Sequence, residues 1–94
     1  MPKLKPSDQE AANRVVKACI SASMERQDLD NNDLAASLGL DVITIRRRRN
    51  KPEEFKLGEL QKMAKKLKFT PFQAASMLLG RELTAKEIRE FILM

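Results

Sequence analysis

The stretch Asp33–Pro52, "DLAASLGLDVITIRRRRNKP", decides how the chain is read. Leu34 and Leu38 recur at helical spacing, Ala35 is small enough to let a second helix approach, and Gly39 suits the left-handed position that ends a helix. Leu40 then points inward and Asp41 can cap a second helix running from Val42 to about Arg49, with Ile45 packing back toward the first. Pro52 cannot continue a helix and restricts the residue before it, so "NKPEE" breaks the run. Two short helices joined by a glycine turn are the physical core of a helix-turn-helix. The second carries four consecutive arginines, Arg46 to Arg49. Neighbours on a helix point about 100° apart. The four therefore cannot share one outer face, and at least one approaches the core or the helix end.

Helical periodicity extends in both directions from this pair. "SDQE" at 7–10 reads as a capping box, Ser7 with Glu10, and opens a helix whose inward stripe is Ala12, Val15, Val16, Cys19, Ile20 and Ser23. That helix is expected to end near Arg26, with "DLDNN" as a turn and Asn31 or Asn32 as the next cap. Phe55, Leu57, Leu60, Met63, Ala64 and Leu67 define a fourth helix. Lys62, Lys65, Lys66 and Lys68 near its end favour the helix dipole and read as a solvated face. "TPFQ" at 70–73 supplies a cap with proline at the first helical position. It begins a fifth helix carrying Phe72, Ala75, Met77, Leu78 and Leu79 to Gly80. "TAKE" at 84–87 opens a sixth, with Ile88, Phe91 and Ile92 on one face. Only short runs such as "VITI" look strand-like, and nothing pairs with them. The expectation is an all-α fold: one domain over residues 1–94, a compact bundle of five to six short helices containing a helix-turn-helix at about 32–50.

The composition bounds the function. With 43% hydrophobic and 33% charged residues, the 94-residue chain has the balance of a folded protein. Its single cysteine, Cys19, excludes an internal disulfide framework and reads as a core residue, and the absence of histidine excludes the common zinc patterns. There is no glycine-rich phosphate loop and no carboxylate cluster at metal spacing, since Glu53 and Glu54 are only neighbours in a loop. No enzymatic activity and no cofactor are expected. The net charge is +5. Residues 1–30 carry five basic and five acidic side chains, 31–56 six and four, and 57–94 seven and four, so the excess lies beyond the first third. A basic patch of this kind suits a polyanion, most often nucleic acid. No apolar run is long enough to cross a bilayer and the N-terminus has no apolar signal core, which points to a cytoplasmic protein.

Residues 32–69, through "DLAASLGLDVITIRRRRN" and "EFKLGELQKMAKKL", resemble the lambda-repressor-like (Cro/repressor, XRE-type) helix-turn-helix family, particularly its small prophage-type regulators. Asn50 and Phe55 take places usual in that family; Lys51 stands where glycine is usual, and Arg48 or Arg49 where an apolar residue anchors the recognition helix. The resemblance implies a sequence-specific regulator of transcription that lays the helix at about 42–49 in the major groove of double-stranded DNA. It assigns Val42, Ile43, Arg46 and Arg47 to base edges, with Thr44 and Asn50 near the sugar–phosphate edge. Arg48, Arg49 and Lys51 are then the backbone contacts. Apolar contact with thymine methyls and bidentate arginine–guanine pairing are the chemistry such positions use.

Members of this class usually bind as two-fold dimers. The apolar C-terminal helix at about 84–93, through Ile88, Phe91 and Ile92, offers a homodimer face, or else it closes the monomer core. Two other functions remain open on the residues alone. The run "RRRRNK" could serve as an arginine-rich RNA-binding segment, although exposed aromatics for base stacking are missing. The fold could also act as a protein-interaction module, an adaptor or antitoxin. The chain is too short for a separate ligand domain beside a DNA-binding one, so no small-molecule ligand is expected.

Overall fold

The computed structural model of the chain describes residues 8–93 and is all-helical. Six α-helices follow one another: α1 (Asp8–Gln27), α2 (Asn31–Leu38), α3 (Val42–Asn50), α4 (Leu57–Leu67), α5 (Pro71–Leu79) and α6 (Ala85–Ile92), with a 3₁₀ turn at Pro52–Glu54 between α3 and α4. Among the described residues there is no strand. Ser7, expected to cap α1, and the side chain of Phe91 lie outside the described residues.

Local side-chain chemistry sets most of the helix starts. Thr70 and Gln73 form a reciprocal capping box at the head of α5, Thr70 Oγ1 accepting from the Gln73 N–H at 3.1 Å and Gln73 Oε1 from the Thr70 N–H at 3.0 Å. Thr84 and Glu87 do the same at the head of α6. At α2 the expected cap is corrected: it is Asp30, not Asn31 or Asn32. Asp30 Oδ1 accepts from the Asp33 N–H at 2.9 Å while Asp33 Oδ2 accepts from the Asp30 N–H at 3.0 Å. Only Asp30 has a carboxylate three residues ahead to close that box. Two helix ends use a left-handed residue without glycine's freedom: Asp28 just after α1 and Lys68 after α4, both at φ 55°.

The core is built from four helices and the loop before α4. Ile20 and Met24 of α1, Leu34, Ala35 and Leu38 of α2, Ile45 of α3, Phe55, and Met63 and Leu67 of α4 are buried together. Each large apolar side chain fully removed from water there contributes about 1.5–3 kcal/mol. Of the inward stripe expected for α1, Ile20 and Ser23 are buried as expected, Ala12, Val15, Val16 and Cys19 are only half-buried, and Asn13, outside the stripe, is buried. Polar bonds satisfy Asn13 and Ser23. Asn13 accepts from Gln9 Nε2 at 3.0 Å and donates to Glu53 Oε1 at 3.3 Å, fastening α1 to the 3₁₀ turn. Ser23 Oγ accepts from Gln73 Nε2 at 3.3 Å, fastening α1 to α5. Burial pushes the Cys19 thiol up, with the Glu82 charge adding to it.

The C-terminal third packs less deeply. In α5 only Ser76 is buried, and in α6 no described side chain is. Leu78 and Leu79, expected as part of the apolar load of α5, are exposed.

Candidate nucleic-acid interface

The approach to α3 is built by its own residues. Gly39 takes φ 71°, its N–H donating to the Ala35 carbonyl, with Leu40 donating to the same oxygen at 3.0 Å. A β-carbon at Gly39 meets nothing within 4 Å, so glycine is required by backbone conformation and not by crowding. Asp41 then caps α3, its carboxylate accepting from the Thr44 N–H at 2.6 Å. Thr44 as donor, chiefly through its N–H, and then the charge of Arg47 hold the Asp41 carboxyl below its usual range.

On α3 itself, exposure sorts the residues by helical phase. Ile43, Arg46, Arg47 and Asn50 are exposed. Their spacing of i, i+3, i+4 and i+7 makes them one outward stripe. Ile45 is fully buried, and Val42 and Thr44 are half-buried along the margins. Ile43 is the unusual member, a β-branched aliphatic residue left 73% exposed beside two arginines.

The four arginines divide two and two. Arg46 and Arg47 stand on the outward stripe. Arg47 makes one loose ion pair, Nε to Glu54 Oε1 at 3.6 Å, with both side chains substantially exposed. Arg48 turns toward α4 and pairs with Glu59, the two side chains being only 15% and 13% exposed. Burial pushes the Glu59 carboxyl up, but the Lys56 N–H and the Arg48 guanidinium outweigh this and hold it below the usual range. Arg49 turns the other way, donating to Asn31 Oδ1 at 2.7 Å and to Ser21 Oγ at 2.9 Å, and so ties α3 to α2 and α1. Arg48 and Arg49, assigned from the sequence to phosphate contact, are both held by intramolecular bonds here.

The basic surface continues onto α1. A cleft of about 400 Å³ is lined by Lys17, Ser21, Asn31, Arg46, Arg49 and Asn50. Beside it, Arg14, Lys17, Arg47, Asn50 and Lys51 line a second, together with Asn13 and the carboxylates Glu10 and Glu53. The ion pairs among the described residues are Arg47–Glu54, Arg48–Glu59 and Arg81–Glu87, so none involves Lys17, Arg46 or Lys51. Arg14 and Lys17 escaped the reading of the sequence because the first thirty residues cancel in charge. A signal exists in their spacing: Arg14, Lys17 and Ser21 fall at i, i+3 and i+7 on one exposed face of α1.

Of the residues assigned to a dimer face, Ile88 is half-buried and Ile92 exposed, both on α6. Among the described residues no group of three or more cysteine or carboxylate side chains is placed to hold a metal ion. None of the described helices is long and apolar enough to cross a membrane. Comparison with protein-family models, with curated proteins and with solved structures finds no match for this chain.

Proposed function

We propose that this chain is a small DNA-binding regulator of transcription that reads double-stranded DNA with α3 in the major groove. The observation that carries the reading is the single outward stripe of Ile43, Arg46, Arg47 and Asn50, flanked by Arg14, Lys17 and Lys51. A helix with its side chains is about 10–12 Å across and the major groove about 12 Å wide, so the stripe can enter the groove while flanking cations reach phosphates. Arg46 and Arg47 can each pair bidentately with a guanine edge, and Ile43 can contact a thymine methyl. Val42 and Thr44, half-buried, take the margins. Arg48 and Arg49 act from behind by fixing the orientation of α3 against α4, α2 and α1.

Duplex DNA is favoured over single-stranded RNA because the described residues offer no exposed aromatic side chain as a stacking platform. The chain has no tryptophan or tyrosine, and of its phenylalanines Phe55 is buried and Phe69 and Phe72 are half-buried.

The test is fluorescence anisotropy on random duplex DNA, comparing the chain with an Arg46→Ala/Arg47→Ala variant and running structured RNA in parallel. Five cations, Arg14, Lys17, Arg46, Arg47 and Lys51, face outward together. On random duplex, where no base edge is read specifically, all five can neutralise phosphates, and affinity then falls with a log–log salt slope of about −4.5, or roughly 500-fold between about 50 and 200 mM salt. The double variant is expected to bind more weakly and to flatten that slope by about two. Absence of duplex binding at low salt, or binding indifferent to the two arginines, refutes the proposal; RNA binding in its place assigns the surface to that polymer.

A further inference from the structure

Among the described residues, two apolar surfaces are left without a partner. One is a groove of about 520 Å³ where α1, α4 and α5 meet, lined by Val16, Leu57, Leu60, Met77, Leu78 and Leu79 among others. Leu57, Leu78 and Leu79 stand at its rim 64%, 80% and 54% exposed. The other is the apolar side of α6, which continues into Leu93: Ile88 is half-buried, and Ile92 and Leu93 are 69% and 81% exposed. No described residue of α6 lines the groove, and α6 is not among the helices that pack extensively on one another. An amphipathic helix gains its stability in water mainly by burying its apolar face.

The course of α6 away from its own groove is set by the junction before it. Gly80 ends α5 at φ 72°, and a β-carbon there would stand 2.8 Å from Ala12 Cβ, so the end of α5 is pressed against α1. From that point Arg81 donates twice to the Glu87 carboxylate, Nη1 to Oε1 and Nη2 to Oε2, both at 2.8 Å. The same carboxylate accepts from the Thr84 N–H at 2.9 Å. The connector and the first turn of α6 are thus clamped together.

We infer that the groove receives α6 of a second copy of this chain, and that the exchange is reciprocal, giving a two-fold dimer. A two-fold interface pairs each surface with its complement on the partner, and here one chain carries both complements. The area suffices. Ten large aliphatic side chains, five from each copy at roughly 60–120 Å² apiece, remove about 600–1,200 Å² of apolar surface from water. Interfaces are about 60% apolar, so the total is about 1,000–2,000 Å², the range of stable protein interfaces. Charge does not oppose the docking: the groove carries one ionised residue, Glu53, and α6 balances Lys86 and Arg89 against Glu87 and Glu90. The inference rests on packing and is independent of nucleic-acid binding.

Sedimentation velocity of the full chain from low to high micromolar concentration tests it, with far-UV circular dichroism as the check on folding. Leu78→Asp damages only the groove, and Ile92→Asp/Leu93→Asp only the helix; all three positions are exposed, so each variant keeps its fold. The chain is expected to reach twice its 10.7 kDa mass, and each variant alone to stay a monomer. An equimolar mixture of the two variants is expected to recover a heterodimer, weaker than the wild-type dimer, because one intact helix then meets one intact groove. A monomeric wild-type chain overturns the inference. So does a dimer that survives Leu78→Asp, which assigns the pairing to α6 against α6, and so does failure of the mixture to associate.

Discussion

Removing Arg48 separates fold-holding arginines from ligand-facing ones. At a side-chain exposure of 15%, its guanidinium meets a Glu59 that is 13% exposed. Exposed ion pairs contribute about 0–1 kcal/mol, and breaking a buried one by removing a partner costs about 3–5 kcal/mol. Two features place this pair between those limits. Glu59 keeps its hydrogen bond from the Lys56 N–H when Arg48 is lost, and Arg48 Nε is itself buried without an acceptor, so the pair is not fully satisfied. Arg48→Ala is therefore expected to cost about 2 kcal/mol, or roughly 8–16 °C in Tm for a domain of this size. Arg48→Met, which keeps the aliphatic stem and removes the orphaned N–H, is expected to cost about 1 kcal/mol less. Arg49→Ala gives up two charge-assisted bonds at a partly exposed site, about 1 kcal/mol. Arg46→Ala/Arg47→Ala removes only the loose contact to Glu54 and is expected to stay within about 0.5 kcal/mol of the parent. Urea denaturation followed by far-UV circular dichroism measures all four. Equal stability of Arg48→Ala and the Arg46/Arg47 variant refutes the division of the arginine run.

The two left-handed glycines are expected to respond unequally to alanine. Gly39→Ala meets only the backbone penalty, about 1 kcal/mol, whereas Gly80→Ala adds the 2.8 Å approach to Ala12 and loses at least 2 kcal/mol; equal losses in thermal unfolding contradict the close packing of α5 on α1. Glu87 is held at about 2, against an ordinary 4.5, by the Arg81 guanidinium first and then the Thr84 N–H. A lowered carboxyl contributes stability that is complete above its unfolded value and is lost as pH falls through its folded one, so the clamp on α6 weakens between pH 4.5 and about 2. A carbon-detected NMR titration is expected to place Glu87 near 2 in the parent and nearer 4.5 in Arg81→Ala; a parent value of 4.5 shows the clamp open in solution.

Much of the architecture was legible because its causes are local. Gly39, Asp41, Thr70 with Gln73, and Thr84 with Glu87 act over one to four residues, and the structure has each acting where the sequence suggests. The exceptions are instructive. Asp30 displaced its asparagine neighbours as a cap because Asp33 answers it. Leu78 and Leu79 were legible as apolar residues of α5, but their exposure was not, because periodicity records which residues share a face, not whether another helix covers it.

Within the arginine run, the sequence alone determined that four neighbours must diverge around a helix, and that Ile45 among them belongs inside. Which arginines turn inward was decided by partners distant in the chain. Glu59 lies eleven residues from Arg48, and Asn31 and Ser21 lie eighteen and twenty-eight from Arg49. Those acceptors reach α3 only once α4, α2 and α1 have packed around Ile45, Met63, Leu34 and Ile20. A cation's role depends on what stands within about 3 Å of it, and the packed helices, not the spacing of residues along the chain, set that distance.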